Sequence, residues 1–392
     1  MKVVQPVPKL RFKQENGEEF PDWKIEKLGE LADIFRGSGL RKSILDPSGQ
    51  YPCILYGELY TLYSEVISKV HSRTYAQNKV KSAYGDILLP TSGETPEGVA
   101  TASALLVSDV QIGGDIIVVR CTKSVNPILI SYILNGSKRQ ISRLAAGASV
   151  SHIYPKDLKL IEITVPSIPA EQHKIACFLI AIDDRLDLLE QKMSLLLQYK
   201  QGLMQKLFNR ELRFKDESGE EFPEWVKYKL GEISLVTKGS PIDSENKTKQ
   251  GYPVIAGGKT SPYSYKFFTH ENCITVSGSG AHAGHVAYHP YKFWGSDCSI
   301  VSGTNSNSVT LFVYYLMFFH QRKIYSLQIG GAQPHVYPKT LKSLTVSIPP
   351  NVNEQQKIAN CLTAIDDKIE LVNYQIEKTQ SFKQGLLQQL FV

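Results

Sequence analysis

Residues 171–208 read EQHKIACFLIAIDDRLDLLEQKMSLLLQYKQGLMQKLF, and residues 354–391 read EQQKIANCLTAIDDKIELVNYQIEKTQSFKQGLLQQLF. Aligned without a gap, 18 of 38 positions are identical, so the two stretches are copies of one segment. In the first, Ile175, Leu179, Ile182, Leu186, Leu189, Met193, Leu196, Lys200, Leu203 and Leu207 follow an unbroken 4-3 alternation. In the second, Ile358, Leu362, Ile365, Ile369, Val372, Ile376, Thr379, Lys383, Leu386 and Leu390 do the same. That spacing, held over about five heptads, is a coiled-coil seam and predicts two long helices. At 1.5 Å per residue each runs roughly 55 Å. Lys200 and Lys383 occupy equivalent seam positions, where they set register, meet a partner or extend to solvent.

The repetition reaches outward from the helices. Leu10-Arg11-Phe12-Lys13, Gly17-Glu18-Glu19-Phe20-Pro21-Asp22-Trp23 and Leu28-Gly29-Glu30 return as Leu212-Arg213-Phe214-Lys215, Gly219-Glu220-Glu221-Phe222-Pro223-Glu224-Trp225 and Leu230-Gly231-Glu232, at an offset of 202. His152-Ile153-Tyr154-Pro155-Lys156 returns as His335-Val336-Tyr337-Pro338-Lys339, and there the offset is 183. The second copy is therefore 19 residues shorter, with the loss between matched ends. The interiors, 35–140 and 237–325, share almost nothing. One frame with two interiors suits one task performed on two ligands.

The fold expected is α+β: two mixed, β-rich lobes at 1–170 and 209–350, followed by helices at 171–208 and 351–392. Equivalent helices in two copies of one unit pair naturally as an antiparallel coiled coil about a pseudo-two-fold, with a lobe at each end. Short apolar runs bounded by Gly, Pro, Asn or Ser give the strands: 51–56, 86–90, 115–119 and 161–166 in the first lobe, 254–256, 273–276 and 344–349 in the second. Residues 128–134 and 311–320 read as helices packed on them.

With 42% hydrophobic and 21% charged residues, the chain has the composition of a globular protein able to bury real cores. No apolar run reaches the roughly 18 residues of a spanning helix, and the first residues lack a signal-peptide pattern, so a cytoplasmic location is expected. A net charge of +6 is mild and decides nothing. The six cysteines form no C-x-x-C pair and read as reduced, buried thiols, with no metal site.

Catalytic patterns are missing. There is no G-x-x-x-x-G-K-[ST], no H-E-x-x-H and no Asn/Asp-Pro-Pro-Tyr/Phe. Phe35-Arg36-Gly37-Ser38-Gly39 spells F-x-G-x-G, but its counterpart Val236-Thr237-Lys238-Gly239-Ser240 lacks the second glycine, so it reads as a loop. Asp183-Asp184 and Asp366-Asp367 are adjacent on a helix, and are read as solvated or partner-facing carboxylates rather than catalytic ones.

The lobes instead offer cations interleaved with aromatics. Arg36, Arg41, Lys42, Lys69, Arg73, Lys79 and Lys81 face three acids in 36–81, among five tyrosines. Lys238, Lys247, Lys249, Lys259 and Lys266 face only Asp243 and Glu245 in the second lobe. This is the inventory of a DNA-contacting surface, and equally of a solvated polar loop. Arg143 belongs to the same set of candidates. Two loops are kept by both copies, Gly147 to Lys156 and Gly330 to Lys339. In them His152 and His335 either donate to phosphate or pack beneath a turn, while Lys156 and Lys339 are within a loop's reach of phosphate. Ser92, Ser277 and Ser279 lie in small-residue loops that allow close backbone approach.

The order of lobe, heptad helix, lobe, heptad helix, with L-R-F-K…G-E-E-F-P-x-W-x-x-x-x-L-G-E opening each half and E-Q-x-K-I-A…A-I-D-D beginning each helix, resembles the specificity subunit of type I restriction-modification systems. The resemblance covers essentially the whole chain. It implies a non-catalytic subunit whose two lobes each read half of a gapped DNA target, the helices fixing the gap. It implies two methyltransferase subunits and two restriction subunits as partners, which use S-adenosylmethionine, ATP and Mg, with no cofactor bound by this chain. The competing reading is a coiled-coil adaptor that joins proteins and reads no DNA sequence.

Overall fold

The two heptad stretches form helices Pro169–Phe208 and Val352–Leu390. Pro169 suits a first helical turn, where its missing N–H has no partner to lose. The first helix is closed by Arg210 at φ 65°: its N–H donates to the Leu207 carbonyl, and that of Glu211 to Lys206, a Schellman-type end. Every seam position named above is buried or half-buried, and neighbours such as Leu188, Leu195 and Leu371 are exposed.

The computed structural model describes residues 8–96, 98–145, 151–242, 245, 248–258, 263–304 and 306–391. The chain divides into two units, Met1–Leu189 with Gln375–Val392, and Glu190–Tyr374. Each unit combines the beginning of one long helix with the end of the other, the exchange that antiparallel pairing requires. In the first unit Ile175, Leu179 and Ile182 share a core with Leu386 and Leu390. In the second, Met204, Leu207 and Phe208 share one with Ile358, Leu362 and Ile365.

The first unit is built on a five-stranded sheet ordered Ala32–Arg36, Ile116–Cys121, Asp86–Pro90, Ser103–Leu105, Val66–Ile67, antiparallel except for the last pair. Side chains alternate across a strand, so Ile117 and Val119 enter the helix-side core while Ile116 and Val118 enter a second core behind the sheet. Burial on both faces explains why these strands read as continuous apolar runs. Helix Pro127–Gly136, capped by the Asn126 side chain, covers the helix side.

The second unit repeats the plan with four strands, Ser234–Lys238, Cys298–Gly303, Cys273–Ser277, Val286–His289, and helix Thr310–Phe319. A small sheet accompanies each: Tyr51–Ile54 pairs antiparallel with Arg73–Thr74 and parallel with Gln111–Ile112, and Tyr252–Ile255 pairs likewise with Ser264–Tyr265 and Trp294–Gly295. The interiors thus share topology where they share little sequence. Most of the length difference lies in one connection, 55–85 against 256–272.

The repeated words are structural bolts. Glu171, fully buried, receives the Arg11 guanidinium at 3.2 Å and the Trp23 indole N–H at 3.1 Å. Glu354 receives Arg213 at 3.0 Å and Trp225 at 3.2 Å. Gln172 accepts from the Asn126 N–H and donates to the Pro166 carbonyl; Gln355 does the same with Val309 and Pro349. Gly37 and Gly239 sit where a Cβ would lie 2.1 and 2.2 Å from the carbonyl oxygens of Gly113 and Ser296, so the first glycine of F-x-G-x-G serves backbone packing in both copies.

Two sequence expectations change. Asp183 and Asp366 are engaged, half-buried carboxylates: Tyr132 donates to Asp183, Tyr315 donates to Asp366, and each aspartate meets a seam lysine. Only Asp184 and Asp367 are exposed. Among the cysteines, Cys53 and Cys298 are buried, but Cys177 is exposed. Burial pushes the Cys298 thiol up to about 12, which keeps it protonated and inert.

Candidate nucleic-acid interface

In each unit the fold joins the H-x-Y-P-K loop, shared by both copies, to a small-residue loop more than fifty residues away in sequence. Ser151–His152 pairs antiparallel with Ser92–Gly93, and the Ile153 N–H donates to the Thr91 carbonyl at 2.9 Å. In the second unit Ser279 bridges His335, and the Val336 N–H donates to the Gly278 carbonyl at 3.0 Å. Ile153 and Val336 are buried as anchors, which turns Tyr154 and Tyr337 outward, each about half exposed. Pro155 and Pro338 then start short helices that hold Lys156 and Lys339 exposed. The Lys156 ammonium lies 5.8 Å over the Tyr154 ring, and His335 stacks on Tyr337 at 5.8 Å.

The two versions differ around that joint. Tyr60 donates to the Ser92 carbonyl at 2.6 Å in the first unit, whereas Asp297 accepts from the Ser279 hydroxyl in the second. The same backbone device therefore carries different side-chain chemistry.

Arg36, Arg41, Lys42, Lys69, Lys79, Lys81, Arg143, Lys238 and Lys249 are all exposed. Arg36 lies 3.5 Å from Asp115, and both side chains are largely solvated. Arg41 and Lys42 line a cleft of about 520 Å³ with Tyr56, Glu58, Thr61 and Asp115. Lys247, Lys259 and Gly147 lie outside the described residues.

Two candidates are already committed to the fold. Ser277 is 4% exposed and donates its hydroxyl to the Gly257 carbonyl, so it fixes a loop. Arg73 is exposed but committed: its guanidinium donates to the carbonyls of Gly49 at 2.6 Å and Gln50 at 2.8 Å. Sequence reasoning missed Asp297 and the exposed pair Phe267-Phe268. No spacing rule flags the first, while two adjacent apolar residues beside Lys266 at a strand end were a usable signal for the second.

Among the described residues, no group of three or more His, Cys, Asp or Glu is placed to hold a metal, and no helix is long and apolar enough to cross a membrane. A duplicated frame with divergent interiors defines a two-module protein. The description "Type I restriction modification DNA specificity domain" matches residues 21–198 and 223–379, and the chain belongs to that family. It is 25% identical to a Methanocaldococcus jannaschii protein provisionally named type I restriction enzyme MjaX specificity subunit, over 96% of this chain and 94% of that one. It is 23% identical to a provisionally named type I specificity subunit of Mycoplasma genitalium, over 94% of each. The crystal structure of a type I restriction-modification system S subunit from M. genitalium superposes with a TM-score of 0.72 at 20% identity, covering 99% of each chain.

Proposed function

We propose that the chain reads a bipartite duplex target, one half-site per unit, and that its long helices hold the gap while methyltransferase and restriction subunits dock on it. The observation that carries this reading is the pair of loop joints, Ser92 with His152 and Ser279 with His335, each followed by an exposed lysine, Lys156 or Lys339, on one frame with two different interiors. Cations neutralise phosphates and fix the protein's position on the duplex, while short hydrogen-bonding side chains at close backbone approach read base edges. Distinct interiors suit distinct half-sites and an asymmetric target.

Leu188 and Phe382 in the first unit, and Leu195, Leu197, Tyr199 and Leu371 in the second, are exposed off the seam, apolar side chains that suit contact with partner subunits. The chain itself catalyses nothing in this reading. Two methyltransferase subunits bind S-adenosylmethionine and methylate adenine, two restriction subunits use ATP and Mg, and all of them work in the cytoplasm.

The test is genome-wide mapping of methylated adenines in cells that carry the chain with a partner methyltransferase, against cells in which 237–325 is replaced by another family member's interior. A gapped motif of which one half changes supports the reading. An ungapped motif, or one indifferent to the exchange, removes it in favour of a protein adaptor.

A further inference from the structure

The small sheet of the second unit ends in a layer of aromatic rings. Tyr252 and Tyr265 face each other across its antiparallel pair, and the chain continues from Tyr265 into Lys266-Phe267-Phe268. The Tyr265 ring lies 4.8 Å from Trp294 and 5.6 Å from Phe267, and Phe268 lies 5.1 Å from Tyr252. Beyond this inner support the two phenyl rings are open to solvent, Phe267 at 56% and Phe268 at 43%. An ammonium stands on each: Lys266 4.9 Å over Phe267, and Lys292 4.8 Å over Phe268.

The frame does not require these rings. In the first unit Arg73–Thr74 pairs with Tyr51–Pro52 as Ser264–Tyr265 pairs with Tyr252–Pro253, and the following residues are Tyr75-Ala76-Gln77. There Ala76 and Gln77 take the places of the two phenyls, Gln77 donating to the Tyr51 hydroxyl at 2.6 Å, and the exposed Tyr75 stands opposite Lys266 with its hydroxyl donating to Ser48 at 3.3 Å. The exposed phenyls belong to the second unit's own ligand.

We propose that Phe267 and Phe268 form a wedge that enters a base step of duplex DNA in the half-site read by the second unit, with Lys266 and Lys292 on the flanking phosphates. The inference rests on the bipartite reading above. Apolar side chains pushed between stacked bases open the step and kink the duplex, and they need neighbouring cations because the phosphates on either side come with the bases. An apolar patch built for protein docking is depleted of charge at its centre. Here each ring carries a cation.

The experiment uses the full chain assembled with a partner methyltransferase, on duplexes of the mapped target with 2-aminopurine at successive positions of both half-sites. Fluorescence reports unstacking, and anisotropy of the same samples reports binding. We expect a several-fold brightening at one step of the second unit's half-site, distinct from the adenine that becomes methylated and without an equivalent in the other half. Phe267→Ser with Phe268→Ser abolishes it, and Phe267→Leu with Phe268→Leu, which keeps an apolar wedge, retains it. Sequence-specific binding without such a step, or brightening that survives the serine pair, overturns the wedge and leaves the bipartite reading standing. If the serine pair stops the chain joining the methyltransferase, the patch is a protein interface and the wedge is overturned. Failure of the wild-type complex to bind the gapped target removes both.

Discussion

The Lys383 ammonium lies 2.7 Å from the Asp183 carboxylate and 3.1 Å from Glu65, with the Tyr132 ring 5.6 Å beneath it. The second unit has the same device in Lys200, which pairs with Asp366 over the rings of Tyr315 and Phe318. A polar pair in a mostly apolar seam fixes helix register, because a shift of either helix strands a half-buried charge. Burial raises the Asp183 pKa, and Lys383 and Tyr132 only partly offset it. For Lys383 burial acts downward, but Glu65 and Asp183 outweigh it and hold the ammonium above its ordinary value.

Lys383→Met is expected to destabilise the first unit by about 3 kcal/mol, and adding Asp183→Asn should recover most of that loss. Urea unfolding of the single and double variants checks it; additive effects would show that the pair is not coupled. A lysine pKa raised on folding also means that this contribution is intact below about pH 10.5 and is lost as pH climbs through the raised value.

Glu171→Ala leaves the Trp23 indole N–H without its acceptor and the Arg11 guanidinium without its buried carboxylate, with the Pro21 carbonyl at 2.6 Å still in place. A cost of about 3–5 kcal/mol follows, confined to the first unit. With Trp225 and Trp294 replaced by Phe, Trp23 emission should move to the red at lower denaturant in the variant. An unchanged midpoint would contradict the bolt described for this residue.

His289 is buried between Thr275, 2.9 Å from one ring nitrogen, and Tyr291, 3.0 Å from the other, and burial with help from His285 lowers its pKa to about 4. The unfolded chain then takes up the proton first. Stability is complete above about pH 6.5 and declines as pH falls toward 4, by on the order of 3 kcal/mol. His289→Gln should flatten the pH dependence of the unfolding midpoint across that window.

Lys79 is exposed and Arg73 is tied to two loop carbonyls, so their alanine variants should separate. Lys79→Ala is expected to lower the slope of log affinity against log salt by about 0.9 if it meets a phosphate. Arg73→Ala should instead lower the melting temperature. Anisotropy titrations of the assembled complex at several salt concentrations, with a thermal melt of each variant, make the comparison.

The seam was legible because heptad spacing is local and survives any tertiary arrangement: Ile175 through Leu207 could be placed before the fold was known. The strands at 86–90 and 116–119 were legible as apolar runs bounded by turns. The Ser92–His152 joint was not, because it depends on pairing between segments sixty residues apart. Nor was the burial of Ser277, which follows from its strand reaching beneath Gly257. Arg73 shows the general limit: composition counts a cation, but only the structure shows whether its donors are already spoken for.

The exchange of helix ends reverses the order in which the two halves of the molecule are finished. Synthesis runs from residue 1 upward, and domains generally fold as they emerge. The second unit, Glu190–Tyr374, is continuous in sequence and is complete once Tyr374 has left the ribosome. The first unit waits for Leu386, Leu390 and the Gln389 carbonyl that receives the Leu10 N–H at 3.2 Å. The half that is made first closes last, on the last turns of the second long helix.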